Sequence, residues 1–128
     1  MGRYLIDSNI VSDYLAENLD NSLLDFLDPI FESQPCLSVV TQIELLSWKT
    51  DPSVENLIKQ FLDNTQIFNL NEEIVHRCVQ FRRSYSIKIP DALIAATAST
   101  EDLILITKNM RDFSKIKGLR ILNLSQFK

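Results

Sequence analysis

Short, continuously apolar runs alternate along this chain with longer stretches in which apolar residues recur every three or four positions. Arg3 to Ile6 predicts a strand, and from Asn9 to Leu15 the pairs Ile10/Tyr14 and Val11/Leu15 have helical spacing. Leu19 to Phe31 is amphipathic through Leu23, Leu24, Phe26, Leu27, Ile30 and Phe31, with Pro29 expected to bend it or begin a new turn. Leu37 to Val40 predicts a second strand, followed by a helix from Thr41 that ends before Pro52, near Trp48-Lys49-Thr50. Asp51-Pro52-Ser53 opens a helix carrying Val54, Leu57, Ile58, Phe61 and Leu62, and Gln66 to Leu70 reads as a third strand. Asn71 then caps a long helix with an Ile74, Cys78 and Phe81 stripe beside Val75 and Val79. A nearly all-apolar helix over 90–100 and strands at Leu103 to Ile106 and Leu119 to Leu124 complete the series. This alternation predicts an α/β fold, a mostly parallel sheet covered on both faces with a site at the carboxyl ends of its strands.

Composition narrows the picture. With 128 residues, 45% of them hydrophobic, one domain over 1–128 can bury roughly two-thirds of its unfolded surface. Two glycines, four prolines and no repeated or biased segment argue against linkers or a repeat architecture. No apolar run approaches the ~20 residues of a membrane span, and Met1 to Asp7 is too short and too soon interrupted for a signal peptide. The expectation is a cytoplasmic protein without membrane contact, in which Cys36 and Cys78 are small buried thiols rather than a disulfide. The net charge of −4 conceals an asymmetry: residues 1–75 hold three Lys/Arg against 13 carboxylates, residues 76–128 ten against four. A basic second part is compatible with a polyanionic partner, as it is with scattered solvated charges.

Candidate chemistry collects at the predicted strand ends. Asp7 follows the first strand, Glu44 lies in the first turn after the second, Asp91 opens the apolar helix after Pro90, and Thr107-Lys108-Asn109 follows the fourth strand. Each has a plain structural explanation. Thr41-Gln42-Ile43-Glu44 has capping-box spacing, Asp7, Ser8, Asn9, Thr107 and Asn109 are good helix caps, and a carboxylate such as Asp91 suits a helix N-terminus. Four caps meeting at one crevice is the less economical account. Hard divalent cations take one or two carboxylates plus water and substrate phosphate, so acids from distant segments can build one site. There is no Cys/His cluster for zinc and no glycine-rich phosphate loop, and the single histidine, His76, reads as a surface residue. Metal-assisted hydrolysis is the chemistry that remains.

The segments Tyr4-Leu5-Ile6-Asp7-Ser8-Asn9-Ile10, Thr41-Gln42-Ile43-Glu44-Leu45, Pro90-Asp91-Ala92-Leu93-Ile94-Ala95-Ala96-Thr97-Ala98 and Ile106-Thr107-Lys108-Asn109-Met110-Arg111-Asp112-Phe113 resemble, in order, four signatures of PIN-domain ribonucleases. More narrowly the chain resembles VapC-type toxins of toxin–antitoxin pairs, from residue 4 to about residue 124. The resemblance implies an α/β/α sandwich with a short parallel sheet and an Mg²⁺ or Mn²⁺ site built by Asp7, Asp91 and Glu44. It also implies cleavage of a structured RNA of the tRNA or rRNA class, inhibition by a small VapB-like antitoxin, and a homodimer. Ser8 stands where the family usually has threonine. Asn109 stands where aspartate is common, leaving Asp112 as the nearest substitute carboxylate and the second metal in question. Asn9 and Thr107 would support the site, and Arg82, Arg83, Lys88, Lys108 and Arg111 would guide RNA. Leu23, Phe26, Leu27, Leu46 and Trp48 are candidates for an antitoxin groove or dimer face, or for core packing.

Two other readings bracket this one. A haloacid-dehalogenase-like phosphatase also begins with an apolar strand ending in aspartate, but it needs a second aspartate two residues later, where this chain has Asn9. A catalytically impaired PIN-like module that binds RNA or protein without cutting is the alternative that Asn109 keeps open.

Overall fold

In the computed structural model, which describes residues 3–124, the elements run β1 (Tyr4–Ile6), α1 (Ser8–Leu15), α2 (Asn21–Glu32), β2 (Cys36–Ser38), α3 (Val39–Ser47), α4 (Pro52–Asp63), β3 (Gln66–Phe68), α5 (Glu72–Ser84), α6 (Ile89–Thr100), β4 (Ile104–Thr107), α7 (Met110–Phe113) and β5 (Ile121–Asn123). The strands form one five-stranded sheet in the order β3-β2-β1-β4-β5, with every pairing parallel. The mixed α/β architecture read from the sequence is therefore present, with the sheet wholly parallel.

Side-chain alternation explains why such short strands are apolar throughout. Leu5, Cys36 and Leu105 enter a core with Ile74, Ala95 and Phe113, whereas their neighbours Ile6, Leu37 and Ile106 enter a second core with Ile10, Leu27 and Ile58. Successive strand residues face opposite sides of the sheet, so both faces must be covered. Full burial of each Leu or Ile stabilises the fold by about 1.5–3 kcal/mol relative to exposure. Cys36 and Cys78 are buried free thiols, and His76 is exposed.

The chain winds outward from β1 through β2 to β3, then returns to β4 on the other side of β1. The strand order thus reverses between β1 and β4, where their carboxyl ends leave a crevice.

Three local expectations need correction. The helix after β2 begins at Val39, capped by Ser38, whose hydroxyl accepts from Val40 N at 3.1 Å. The β-branched Val39-Val40 pair suggested continued strand, but a serine cap overrides that weak preference. Thr41 is consequently inside α3, its buried Oγ1 without a partner among the described residues, so it is not the N-cap that a Thr41–Glu44 capping box requires. Secondly, α2 runs through Pro29 without starting anew. Pro29 and Asp25 are exposed, leaving the carbonyl that Pro29 cannot bond open to water. Thirdly, β3 and β5 are shorter than their apolar runs, because only the residues in register with a neighbour pair.

Candidate functional site

Asp7 follows β1 and caps α1. Its Oδ1 accepts from Ser8 N at 2.8 Å, and its Oδ2 accepts from the Thr107 hydroxyl at 2.8 Å. Thr107 Oγ1 accepts in turn from Asn109 N at 2.9 Å, tying the ends of the two central strands together. Asp7 is only 7% exposed, and burial raises its pKa against the lowering effect of both hydrogen bonds.

Glu44 and Asp91 reach the same crevice from α3 and from the first turn of α6. Loss of solvent raises Glu44, with the Ser8 hydroxyl opposing and the charges of Asp7 and Asp91 adding to the rise. Asp91 is raised by burial and then by Asp7 and Asp112, while Lys88 pulls it down. These influences place the three acids within electrostatic reach of one another. The Asp91 carboxylate accepts no hydrogen bond from the described residues, so its capping role is at most electrostatic.

Beyond β4, Asn109 caps α7: its Oδ1 accepts from Asp112 N at 3.3 Å and its Nδ2 donates to Asp112 Oδ2 at 3.2 Å. That donation, followed by Lys115 and Arg111, lowers the Asp112 pKa, and Lys115 Nζ lies 3.5 Å from Asp112 Oδ1. On this side a groove of about 930 Å³ opens between the end of α5, the start of α6 and α7, lined by Arg82, Arg83, Lys88, Arg111, Lys115 and Asp112 among others.

Residues 4–119 match the family model for the PIN domain. The chain belongs to the PIN-domain family. Among solved structures it is similar to a chain of a toxin–antitoxin complex from Klebsiella pneumoniae, at 30% identity and TM-score 0.77, covering 94% of this chain and 96% of that one. A chain of VapBC-1 from nontypeable Haemophilus influenzae aligns at 20% identity and TM-score 0.78, over 95% and 98% of the two chains. DNA-bound VapBC from Salmonella typhimurium gives 17% and 0.80, over 96% and 98%, and these two likenesses concern the fold. No curated protein sequence matches the chain.

Within this PIN domain the residues singled out from sequence separate into groups. Asp7 and Asp91 act electrostatically on Glu44, and Ser8 and Thr107 are bonded to these acids. Asn109 spends its carboxamide on Asp112 at the start of α7, and the charge of Asp112 contributes to the raised pKa of Asp91. Arg82 holds the α5–α6 connection by donating to Ile87 O at 2.7 Å, and Lys108 pairs with Asp13 at 2.6 Å and does not line the basic groove. Leu27 is core, Leu23 and Phe26 pack on it, and Leu46 and Trp48 are exposed. Lys115 escaped the sequence reading, although its position three residues after Asp112 on a helical turn was a usable signal.

Among the described residues no three His, Cys, Asp or Glu side chains form a ready metal cage. Mg²⁺ does not demand one, since it keeps several waters and commonly takes one or two carboxylates. Asp7, Glu44 and Asp91 are carboxylate ligands, and the charge of Asp7 raises both Glu44 and Asp91, so the set suits a hard divalent cation.

Proposed function

We propose that this PIN domain is a cytoplasmic, Mg²⁺- or Mn²⁺-dependent endoribonuclease and the toxin of a type II, VapBC-like pair, hydrolysing structured RNA of the tRNA or rRNA class. The observation that carries the reading is the meeting of Asp7, Glu44 and Asp91 at the reversal of strand order, beside a groove with cations on one flank. Asp7 and Asp91 are assigned as the principal metal ligands and Glu44 as a ligand directly or through water. When bound, the divalent ion supplies acidification of water and charge neutralisation at the phosphate. Thr107 and Ser8 fix the Asp7 carboxylate through one hydrogen bond to each oxygen. Asp112 is assigned the fourth acidic position in place of Asn109, because its charge reaches Asp91 while the Asn109 amide is committed to α7.

Arg83, Lys88, Arg111 and Lys115 are assigned to the RNA backbone, with Arg82 holding the groove's wall. Similarity to chains of the Klebsiella toxin–antitoxin complex and of VapBC-1 supports a VapB-like antitoxin as partner. Exposed Ile43 and Leu46 on α3 and Val75 and Val79 on α5 offer faces for that antitoxin and for a homodimer. Among the described residues no helix is long and apolar enough to cross a membrane.

Antitoxin-free protein incubated with structured cellular RNA tests the reading. Discrete fragments in Mg²⁺ or Mn²⁺, absent in EDTA, support it; RNA that binds and stays intact with either metal favours the impaired binding module.

A further inference from the structure

We infer that the pocket between α1 and α3 is a nucleobase subsite, in which Trp48 stacks on an unpaired base next to the acidic centre. The inference rests on the RNA reading above and adds where a base is held. This pocket, about 590 Å³, is lined by Ser8, Asn9, Ser12, Glu44, Leu45, Ser47 and Trp48. Its volume is within the range of small-ligand sites.

Chemistry separates it from the basic groove. Among the described residues no cation lines it and Glu44 contributes the one formal charge, so a phosphate gains nothing there and is repelled. What it does offer is an indole face, 38% exposed at the end of α3, and neutral hydrogen-bonding side chains. Among the described residues the Asn9 amide, the Ser47 hydroxyl and the Trp48 indole N–H have no hydrogen-bond partner, whereas Ser12 Oγ already donates to Asn9 O at 3.1 Å. An aromatic plane with unspent amide and hydroxyl groups is how proteins hold splayed single-stranded bases and read their edges.

Glu44 and Trp48 are four residues apart at the end of one helix and line the same pocket. A base stacked on Trp48 therefore places its own backbone beside Glu44, and the chain leaving the acids on the opposite side meets Lys88 and Arg111. The substrate that fits is an RNA with at least one unpaired nucleotide at the cut, its base on the α1/α3 side and its phosphates on the α5/α6 side.

Trp48 is the only tryptophan, so emission reports on this pocket alone. The experiment titrates the full chain in EDTA with a short labelled single-stranded RNA of mixed sequence and with an abasic ribose-phosphate oligomer of equal length. Anisotropy gives binding and tryptophan emission gives stacking. The inference predicts that RNA quenches Trp48, that the abasic oligomer binds without quenching, that Trp48→Ala weakens RNA binding about fivefold or more with the abasic affinity unchanged, and that Trp48→Phe restores most of the loss. RNA and abasic oligomer binding equally, with emission unmoved, overturns the base subsite while leaving the RNA reading intact, and assigns the Trp48 face to a protein partner. Binding of neither oligomer overturns the base subsite, and cleavage of structured RNA in Mg²⁺ or Mn²⁺ separately decides the RNA reading.

Discussion

The Thr107 hydroxyl donates to Asp7 Oδ2 at 2.8 Å, joining the carboxyl ends of β4 and β1 across 100 residues of sequence. The same oxygen accepts from Asn109 N, so one buried atom sets both the first acid and the start of the α7 turn.

Thr107→Val keeps the shape and removes both bonds, leaving the Asn109 N–H without that partner. Denaturant unfolding is expected to show a loss of about 1–3 kcal/mol, the cost of stranding a buried polar group. Thr107→Ser is expected to recover most of it, and a valine variant as stable as wild type contradicts the bridging role.

Because Ser38 rather than Thr41 caps α3, stability and chemistry divide between two residues. Ser38→Ala is expected to cost about 1 kcal/mol, a usual value for a lost cap. Glu44→Gln, exposed and free of any capping bond, is expected to stay within about 0.5 kcal/mol of wild type in the melt while losing RNA cleavage. A large stability loss for Glu44→Gln would restore the capping explanation.

Burial raises Asp7 and Asp91 above their ordinary 3.8 and Glu44 above its ordinary 4.5, with like charges adding to the last two. Between the unfolded and the raised folded values the folded state binds the extra proton, so these groups make metal-free stability fall as pH rises through that interval. The contribution is fully present below the unfolded pKa and lost above the folded one. Unfolding midpoints of wild type and Asp91→Asn across the carboxylate range are expected to show the variant declining less steeply. Identical slopes would mean that Asp91 is not raised.

The basic groove gives a salt test. Arg83→Ala, Lys88→Ala and Arg111→Ala are each expected to weaken RNA binding and to reduce the slope of log affinity against log salt by about 1. Lys108→Ala, whose partner is the partly exposed Asp13, is expected to leave that slope unchanged. A slope that responds to Lys108 and ignores Lys88 would place the backbone path elsewhere.

How much could be read beforehand follows from where the information lies. Periodicity located every strand and long helix because burial on two faces leaves continuous apolar strands and striped helices, as Leu5/Ile6 and Ile74/Cys78 illustrate. The placement of Asp7, Glu44 and Asp91 was legible because each follows or opens an element in the alternation of strands and helices. The start of α3 was not, since Val39 and Val40 favour strand locally and only the Ser38 hydroxyl decides otherwise. Nor could sequence distribute the cations: Arg82 and Lys108 are held by Ile87 O and Asp13, partners set by tertiary contact rather than spacing.

The most direct measurement compares wild type and Asp91→Asn for binding and cutting of the same structured RNA in Mg²⁺ or Mn²⁺. Loss of cutting with folding and RNA affinity retained is the expected result, since Asp91 bears no hydrogen bond from the described residues that the fold would miss. An Asp91→Asn protein that cuts at the wild-type rate contradicts the assignment of Asp7, Glu44 and Asp91 as the catalytic centre.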